Sequence, residues 1–241
     1  MSLIAIDTVG LKPNSFSISV KTETGIFTRQ YDFDSRVFVE RLLPAMENIT
    51  AEAGISPYEI DTVLVAEGPG SFTGLRLAYS AAKAFSLANG ARLIPIPTLA
   101  CVAFLFTPYT GQLLTAIDAK RGSVYGQLFD GAKAISEIFD KPFIEFLDAL
   151  ENKNTFCVCI GADTIQKSFE TFITNPENAS YKTKTGLSLS ELKNILHFVE
   201  VQTTFSLALV QYFTAHESEL LTRPCDDYTA PIYIRKSDAE K

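Results

Sequence analysis

A glycine-rich stretch, Glu67–Arg76, contains residue types that could bind an anion. It lies between a short β-branched run, Thr62–Ala66, typical of a buried strand, and an alanine-rich segment of helical length, Leu75–Asn89. Backbone N–H groups at a helix start, approached through glycines, attract negative charge. Ser71 or Thr73 could cap that helix. The residues of this glycine loop are Gly68, Pro69, Gly70, Ser71, Phe72, Thr73 and Gly74.

The spacing of the loop does not identify a ligand. No Lys-Ser or Lys-Thr pair follows the last glycine as in a P-loop, and the glycine spacing differs from the dinucleotide-binding fingerprint. A strand-to-helix turn that binds nothing is the alternative, and the sequence leaves both open.

Cysteine and histidine positions do not predict a metal site. Cys157 and Cys159 share one face of an apolar strand, with no second Cys or His pair beside them, so we interpret them as buried free thiols. His197 and His216 lie on separate predicted helices, and we expect both to be surface or boundary residues. We therefore expect no metal site.

The predicted order of strands and helices is similar in the two halves of the sequence, which form a first and a second series. An apolar strand ends in Asp7 in the first series and in Asp118 in the second. In each series a polar turn, two more strands, a helix, a buried strand and a glycine-containing turn follow. The last part of the chain is expected to be irregular from Thr164 to Lys184, with helices at Leu187–Val199 and Thr203–Glu217.

This duplication predicts an α/β fold of two actin-like (RNase H-like) βββαβα domains that face each other across a cleft. The first domain would comprise residues 1–108 and about 203–241, and the second, more divergent domain residues 109–202. Asp7 and Asp118 then occupy positions where actin-like ATPases place acids near magnesium and phosphate. However, Leu11, Pro13 and Asn14 replace the expected Gly- and Ser/Thr-rich hairpin. We favour the alternative that both acids end strands and accept backbone hydrogen bonds.

Composition favours a protein partner over direct nucleic-acid binding. The 241 residues are 46% hydrophobic and carry a net charge of −7, with no long run of Lys or Arg. The low share of charged residues, 20%, suggests a buried subunit interface. The first residues lack a basic leader, and no apolar run is long enough to span a bilayer, so we expect a cytoplasmic protein without membrane contact.

Several motifs resemble the TsaB (YeaZ) family. The most specific is the string from Val65 to Arg76, which contains Gly-Ser-Phe-Thr-Gly-Leu-Arg. Ile4–Thr8, Pro95–Leu99, Ile117–Tyr125 and Pro231–Arg235 also resemble family motifs. The resemblance is close from the start of the chain through about Phe129, and it resumes only at the end of the chain.

The resemblance implies a non-catalytic subunit in the synthesis of N6-threonylcarbamoyladenosine (t6A) at position 37 of tRNA. Such a subunit forms a heterodimer with the catalytic paralogue TsaD, and this pair works with the ATPase TsaE. It contacts tRNA only as part of that complex, and it forms a homodimer when TsaD is absent. It implies no cofactor, although weak nucleotide binding remains open. The paralogue resembles a metalloenzyme with a His-x-x-x-His pair, which this chain lacks.

The expected partner interface lies on two helices, Ser35–Ala53 and Leu75–Asn89. We expect Arg76 to pair with a carboxylate, either Glu67 or one on the other subunit, and the alternative is a solvated side chain. The alternative function is a nucleotide-binding phosphotransferase, or an M22-type peptidase, that uses the cleft. The interface residues expected from the sequence are Phe38, Leu42, Met46, Leu75, Arg76, Ala78 and Ala82.

Overall fold

A computed structural model of the chain describes residues 1–9, 15–32, 38–106, 108–109, 111–150, 154–223 and 229–234. The turn with Leu11, Pro13 and Asn14 therefore lies outside the described residues. By contact density the chain divides into unit 1, which contains Met1–Cys101 and Gln202–Tyr233, and unit 2, which contains Val102–Val201. The domain boundaries expected from the sequence remain a prediction.

Unit 1 contains a five-stranded sheet in the order β3-β2-β1-β4-β5. β1 pairs antiparallel with β2 and parallel with β4, and β5 forms an edge, where Pro95 is tolerated. Its elements are β1 (Leu3–Asp7), β2 (Ser15–Lys21), β3 (Ile26–Asp32), α1 (Phe38–Glu52), β4 (Thr62–Gly68), α2 (Phe72–Asn89), β5 (Arg92–Pro97), α7 (Phe205–Ala215) and α8 (Glu217–Leu220), with a 3₁₀ turn at Pro57–Glu59. The helix α3 (Thr98–Phe104) begins in this unit.

The two faces of the first sheet are covered by different helices. Alternate side chains of β2, such as Phe16 and Ile18, share a core with α1 and α2. The opposite face carries Ser17 and Ser19, which bond to Ser206 at the start of α7. The period-2 alternation predicted for β2 thus places one apolar face and one polar but buried face against two helix layers.

Unit 2 repeats this connectivity. β6 pairs antiparallel with β7 and parallel with β10, and the sheet order is β11-β10-β6-β7-β8, with β9 also paired to β7. Its elements are β6 (Gln112–Asp118), β7 (Ser123–Asp130), β8 (Lys133–Ala134), β9 (Phe139–Pro142), α4 (Phe143–Phe146), β10 (Thr155–Ile160), α5 (Ala162–Thr174), α6 (Leu189–Ile195) and β11 (Leu196–Glu200), with 3₁₀ turns at Leu147–Ala149 and Pro176–Asn178. The predicted duplication is confirmed.

Two predictions for the second half were wrong. The segment after Thr164 was expected to be irregular, yet α5 runs from Ala162 to Thr174 because Ile165 and Phe169, four residues apart, are buried in the core of unit 2. The predicted helix Leu187–Val199 ends at Ile195, and the residues after it form β11, which pairs parallel with β10. No helix among the described residues is long and apolar enough to cross a membrane.

Candidate docking surface and glycine loop

Ser71 begins the helix that follows the glycine loop. The backbone N–H of Gly74 donates to Ser71 Oγ at 3.3 Å, so Ser71 rather than Thr73 is the N-cap of α2. Gly90, in the left-handed conformation, ends the same helix. The N-cap Ser71 and the terminating Gly90 fix the two ends of α2 locally, and the helix begins at Phe72, three residues before the predicted start at Leu75.

Two glycines of the loop allow other parts of unit 1 to approach closely. A Cβ atom on Gly68, whose φ is +110°, would lie 2.7 Å from the carbonyl oxygen of Ile232, and one on Gly74 would lie 2.6 Å from that of Thr8. Ile232 N–H also donates to the carbonyl of Glu67 at 2.8 Å. These contacts explain both glycines by packing within the chain, and anion binding by the loop remains a prediction.

Asp7 is buried at the end of β1 and engages neighbouring donors. Its Oδ1 accepts a hydrogen bond from Val9 N–H at 2.7 Å, and its Oδ2 accepts one from the Ser17 hydroxyl at 3.1 Å. Ser17 Oγ in turn accepts from Ser206 N–H, at the start of α7. The carboxylate therefore helps to join β1, β2 and α7.

Asp118 occupies the corresponding position at the end of β6. Its Oδ1 accepts from Lys120 N–H at 2.8 Å, and its Oδ2 forms an ion pair with Lys120 Nζ at 2.8 Å. Like Asp7, it bonds the backbone N–H two residues further along the chain. These contacts match the local role favoured for both acids from the sequence.

A cavity of about 170 Å³ in unit 2 lies beside Asp118. Lys120 and Arg121 both adopt left-handed backbone conformations in the turn that forms part of its wall. Sequence reasoning missed this cavity because Thr164 and Ser168, which complete it, lie on the helix α5 that was not predicted. Its polar lining residues are Asp118, Lys120, Arg121, Ser123, Thr164 and Ser168.

Most of the expected interface side chains are inside unit 1. Five of the seven expected side chains are at most 2% exposed and pack within the unit, so a partner cannot reach them in this conformation. The side chain of Phe38 lies outside the described residues. The corrected assignments are those of Leu42, Met46, Leu75, Ala78 and Ala82.

The solvent-facing sides of the same two helices carry a different set of residues. On α2 this outer face spans about four turns, and its Leu87 is 88% exposed. On α1, Leu43 is 54% exposed. Contiguous exposed apolar side chains are typical of protein-binding surfaces, and Ala84, Leu87 and Ala88 are neighbours on α2. The outer face of α2 consists of Thr73, Arg76, Ser80, Ala84, Leu87 and Ala88.

Arg76 contacts aromatic rings rather than the expected Glu67. Its guanidinium carbon lies 3.9 Å from the ring centre of Phe72, one helical turn earlier, and 5.6 Å from that of Tyr233. Its Nε donates to the Tyr233 hydroxyl at 3.3 Å. Burial raises the pKa of Glu67, and the nearby positive charge of Arg223 opposes that rise.

The cysteines and histidines are dispersed. Cys157 and Cys159 are fully buried with their sulfurs 3.3 Å apart, and burial raises the pKa of Cys157 well above its usual range. His197 lies on β11 in unit 2 and His216 ends α7 in unit 1. In the described part of the chain, no group of three His, Cys, Asp or Glu side chains could hold a metal ion.

Comparison with known proteins supports one family over most of the chain. Residues 32–195 match the family described as TsaD, tRNA N6-adenosine threonylcarbamoyltransferase. The tRNA threonylcarbamoyladenosine biosynthesis protein TsaB of Haemophilus influenzae is 26% identical, over 98% of this chain and 94% of the relative. TsaB of Bacillus subtilis is 24% identical, over 68% of this chain and 72% of the relative.

The fold agrees with this match. YeaZ from Pseudomonas aeruginosa superposes with a TM-score of 0.68 at 18% identity, covering 97% of this chain and 99% of the other. Together with the duplicated sheets, this makes the chain a duplicated α/β protein of the actin-like, TsaD-related class. Within that class, the chain belongs to the TsaB (YeaZ) family.

Proposed function

We propose that this chain takes part in t6A synthesis on tRNA as a non-catalytic subunit that docks onto a TsaD-type paralogue. Family membership is the observation that carries this proposal, since the relatives that match along most of the chain are named as t6A biosynthesis proteins. The docking part is supported by the exposed side chains on the outer face of α2 and on α1.

The geometry of the outer face suits a helix partner. Ser80, Ala84 and Ala88 are exposed at intervals of four residues, so they form a narrow strip on which a second helix can approach closely. Leu87 provides an exposed apolar side chain beside that strip. A standard interface buries about 1,600 Å² in total, which two helices on each side can supply.

The proposed lack of catalysis is supported by the placement of the histidines. A metal-binding His-x-x-x-His pair requires two side chains on one helical face. Here His197 is on a strand of unit 2 and His216 is at a helix end in unit 1. We infer that the paralogue transfers the threonylcarbamoyl group. We also infer that tRNA and the ATPase TsaE associate with this chain only as parts of the complex with the paralogue.

Size-exclusion chromatography with light scattering tests the proposal directly. The molar mass is measured for the chain alone and for its mixture with the TsaD paralogue from the same organism. A separate assay measures t6A formation on tRNA with the other pathway enzymes, in the presence and absence of the chain. We expect a one-to-one complex with the paralogue, and t6A formation that requires both proteins. A chain that does not bind the paralogue, or that is dispensable for t6A formation, would overturn the proposal.

A further inference from the structure

Arg76 is held in a defined orientation at the surface of α2. Its guanidinium lies on the ring of Phe72, and the hydroxyl of Tyr233 accepts a hydrogen bond from Nε. The Phe72 and Tyr233 rings are themselves in contact, with centres 4.8 Å apart. A guanidinium held on aromatic rings loses little further side-chain entropy when its remaining N–H groups bind a partner.

The remaining donors of Arg76 have no acceptor in the part of the chain that the structure describes. Only Nε has a hydrogen bond there, and no described carboxylate forms an ion pair with the two terminal nitrogens. The residue is exposed, so these nitrogens face solvent. Two parallel N–H groups with this geometry match the two oxygens of a carboxylate.

The surroundings of Arg76 favour a negative partner. α2 contains Arg76 and Lys83 but no Asp or Glu, although the whole chain carries a net charge of −7. Side chains of a helix point back toward its N-terminus, where the helix dipole is positive. The positive charge of Arg76 is thus uncompensated within its own helix and is repelled by the positive end of the helix dipole. A carboxylate from outside the helix would offset this repulsion.

We propose that Arg76 is the receptor for a carboxylate side chain of the TsaD-type paralogue. Tyr233 acts as a positioning residue that aims the guanidinium at that carboxylate. This inference rests on the proposed function, because Arg76 belongs to the outer face of α2 on which docking is proposed. It assigns to the segment around Tyr233 a role in partner recognition that the glycine loop and α2 alone would not have.

Titration calorimetry of the chain with its paralogue, at low and at high ionic strength, tests this role. We expect Arg76→Gln to weaken binding about tenfold or more and to reduce the salt dependence of Kd, since a charge pair is lost. Arg76→Lys keeps the charge but not the two parallel donors, so it should recover only part of the affinity. Lys133→Gln, which removes one charge from exposed β8 in unit 2, is the matched control and should bind like the wild type.

Tyr233 is tested by a double-mutant cycle. Tyr233→Phe, which keeps the ring, should weaken binding less than Tyr233→Ala. In the Arg76→Gln background, Tyr233→Ala should have little further effect, because its role is exerted through Arg76. Equal losses in both backgrounds would show an independent structural effect of Tyr233 and overturn its positioning role.

The two proposals fail in different ways. If the wild-type complex forms but Arg76→Gln and Arg76→Lys bind with unchanged affinity and salt dependence, the receptor role is overturned while docking stands. If these variants weaken only self-association of the chain, the carboxylate belongs to a second copy and the inference is wrong as stated. If the wild type does not bind the paralogue at all, the proposed function fails together with the inference.

Discussion

Gly74 lies in the first turn of α2, where replacing glycine by alanine would ordinarily stabilise a helix by about 1 kcal/mol. Here the added methyl group would lie 2.6 Å from the carbonyl oxygen of Thr8, a backbone atom that cannot rotate away. We therefore expect Gly74→Ala to destabilise the protein by about 2 kcal/mol or more. Urea unfolding followed by circular dichroism measures this change.

Gly90→Ala provides the comparison for that substitution. A Cβ atom there would meet no atom within 4 Å, but the residue has φ of +68° and ends α2. The expected loss is about 1 kcal/mol, from backbone strain alone. If Gly74→Ala proves neutral or stabilising, the close approach of Thr8 to the glycine loop is not present in solution.

Burial separates two alanines of α2 that the sequence does not distinguish. Ala82 is fully buried in unit 1, whereas Ala84 is exposed on the outer face of α2. We expect Ala82→Trp to destabilise the fold by at least about 1–3 kcal/mol through overpacking. We expect Ala84→Trp to leave the unfolding midpoint nearly unchanged but to abolish co-elution with the paralogue.

The matched control for these variants is Ala134→Trp, on the exposed strand β8. It adds the same side chain to a surface for which we propose no docking, so both stability and co-elution should be retained. An Ala84→Trp variant that folds and still co-elutes with the paralogue would place the interface elsewhere.

Asp148 fixes the segment between α5 and α6. Burial acts to raise the pKa of its carboxyl, but hydrogen bonds from Lys184 N–H and the Tyr181 hydroxyl, together with the Lys184 charge, outweigh burial and lower it. Because the folded-state pKa is lowered, the ionised carboxylate of Asp148 stabilises the folded protein. This stabilisation is present above the unfolded-state pKa and is lost as the pH falls through the folded-state pKa.

Asp148→Asn should therefore reduce stability at neutral pH and have a diminishing effect in acid. Because Lys184 is exposed and Asp148 is only partly buried, solvent screens this pair and the expected loss is under about 1 kcal/mol. Unfolding curves of both proteins at several pH values measure the difference, with Asp130→Asn, at an exposed strand end, as the control. A difference that stays constant or grows toward acid pH would contradict this role of the ionised carboxylate.

The elements of the first half were predictable because their signals are local. Ser71 and Gly90 mark the ends of α2, and β2 shows a period-2 alternation of apolar and polar residues. In the second half, α5 has only Ile165 and Phe169 as large buried side chains amid polar residues, so its helical face was not recognised. β11 follows α6 without a break in apolar character, and only its pairing with β10 makes it a strand.

Site residues were harder to predict than elements. Helical spacing showed that α1 and α2 each have an apolar face, but it cannot say whether that face meets the chain's own sheet or a partner. The structure places Leu42 and Ala82 against the sheet, which corrects the expected interface. The partner of Arg76 was missed because Tyr233 is 157 residues away in the sequence.

At the scale of the whole molecule, nucleotide binding is the property that separates a docking subunit from an enzyme of the same fold. Asp7 and Asp118 already accept backbone hydrogen bonds, and Asp118 also pairs with Lys120. We expect the purified chain to bind magnesium-ATP weakly or not at all. Calorimetry that gives an affinity of about micromolar or tighter would contradict this and would favour the phosphotransferase alternative.

The discontinuous build of unit 1 has a consequence for synthesis on the ribosome. Its sheet is complete once β5 has emerged, but α7, which covers one face of that sheet through Phe205, Leu209 and Phe213, is made roughly a hundred residues later. At about 5–20 residues per second, this interval lasts on the order of 5–20 seconds. During that time the face of the nascent sheet that α7 will cover, which includes Ser17 and Ser19, is exposed to solvent, so a chaperone that binds the growing chain should act before α7 emerges.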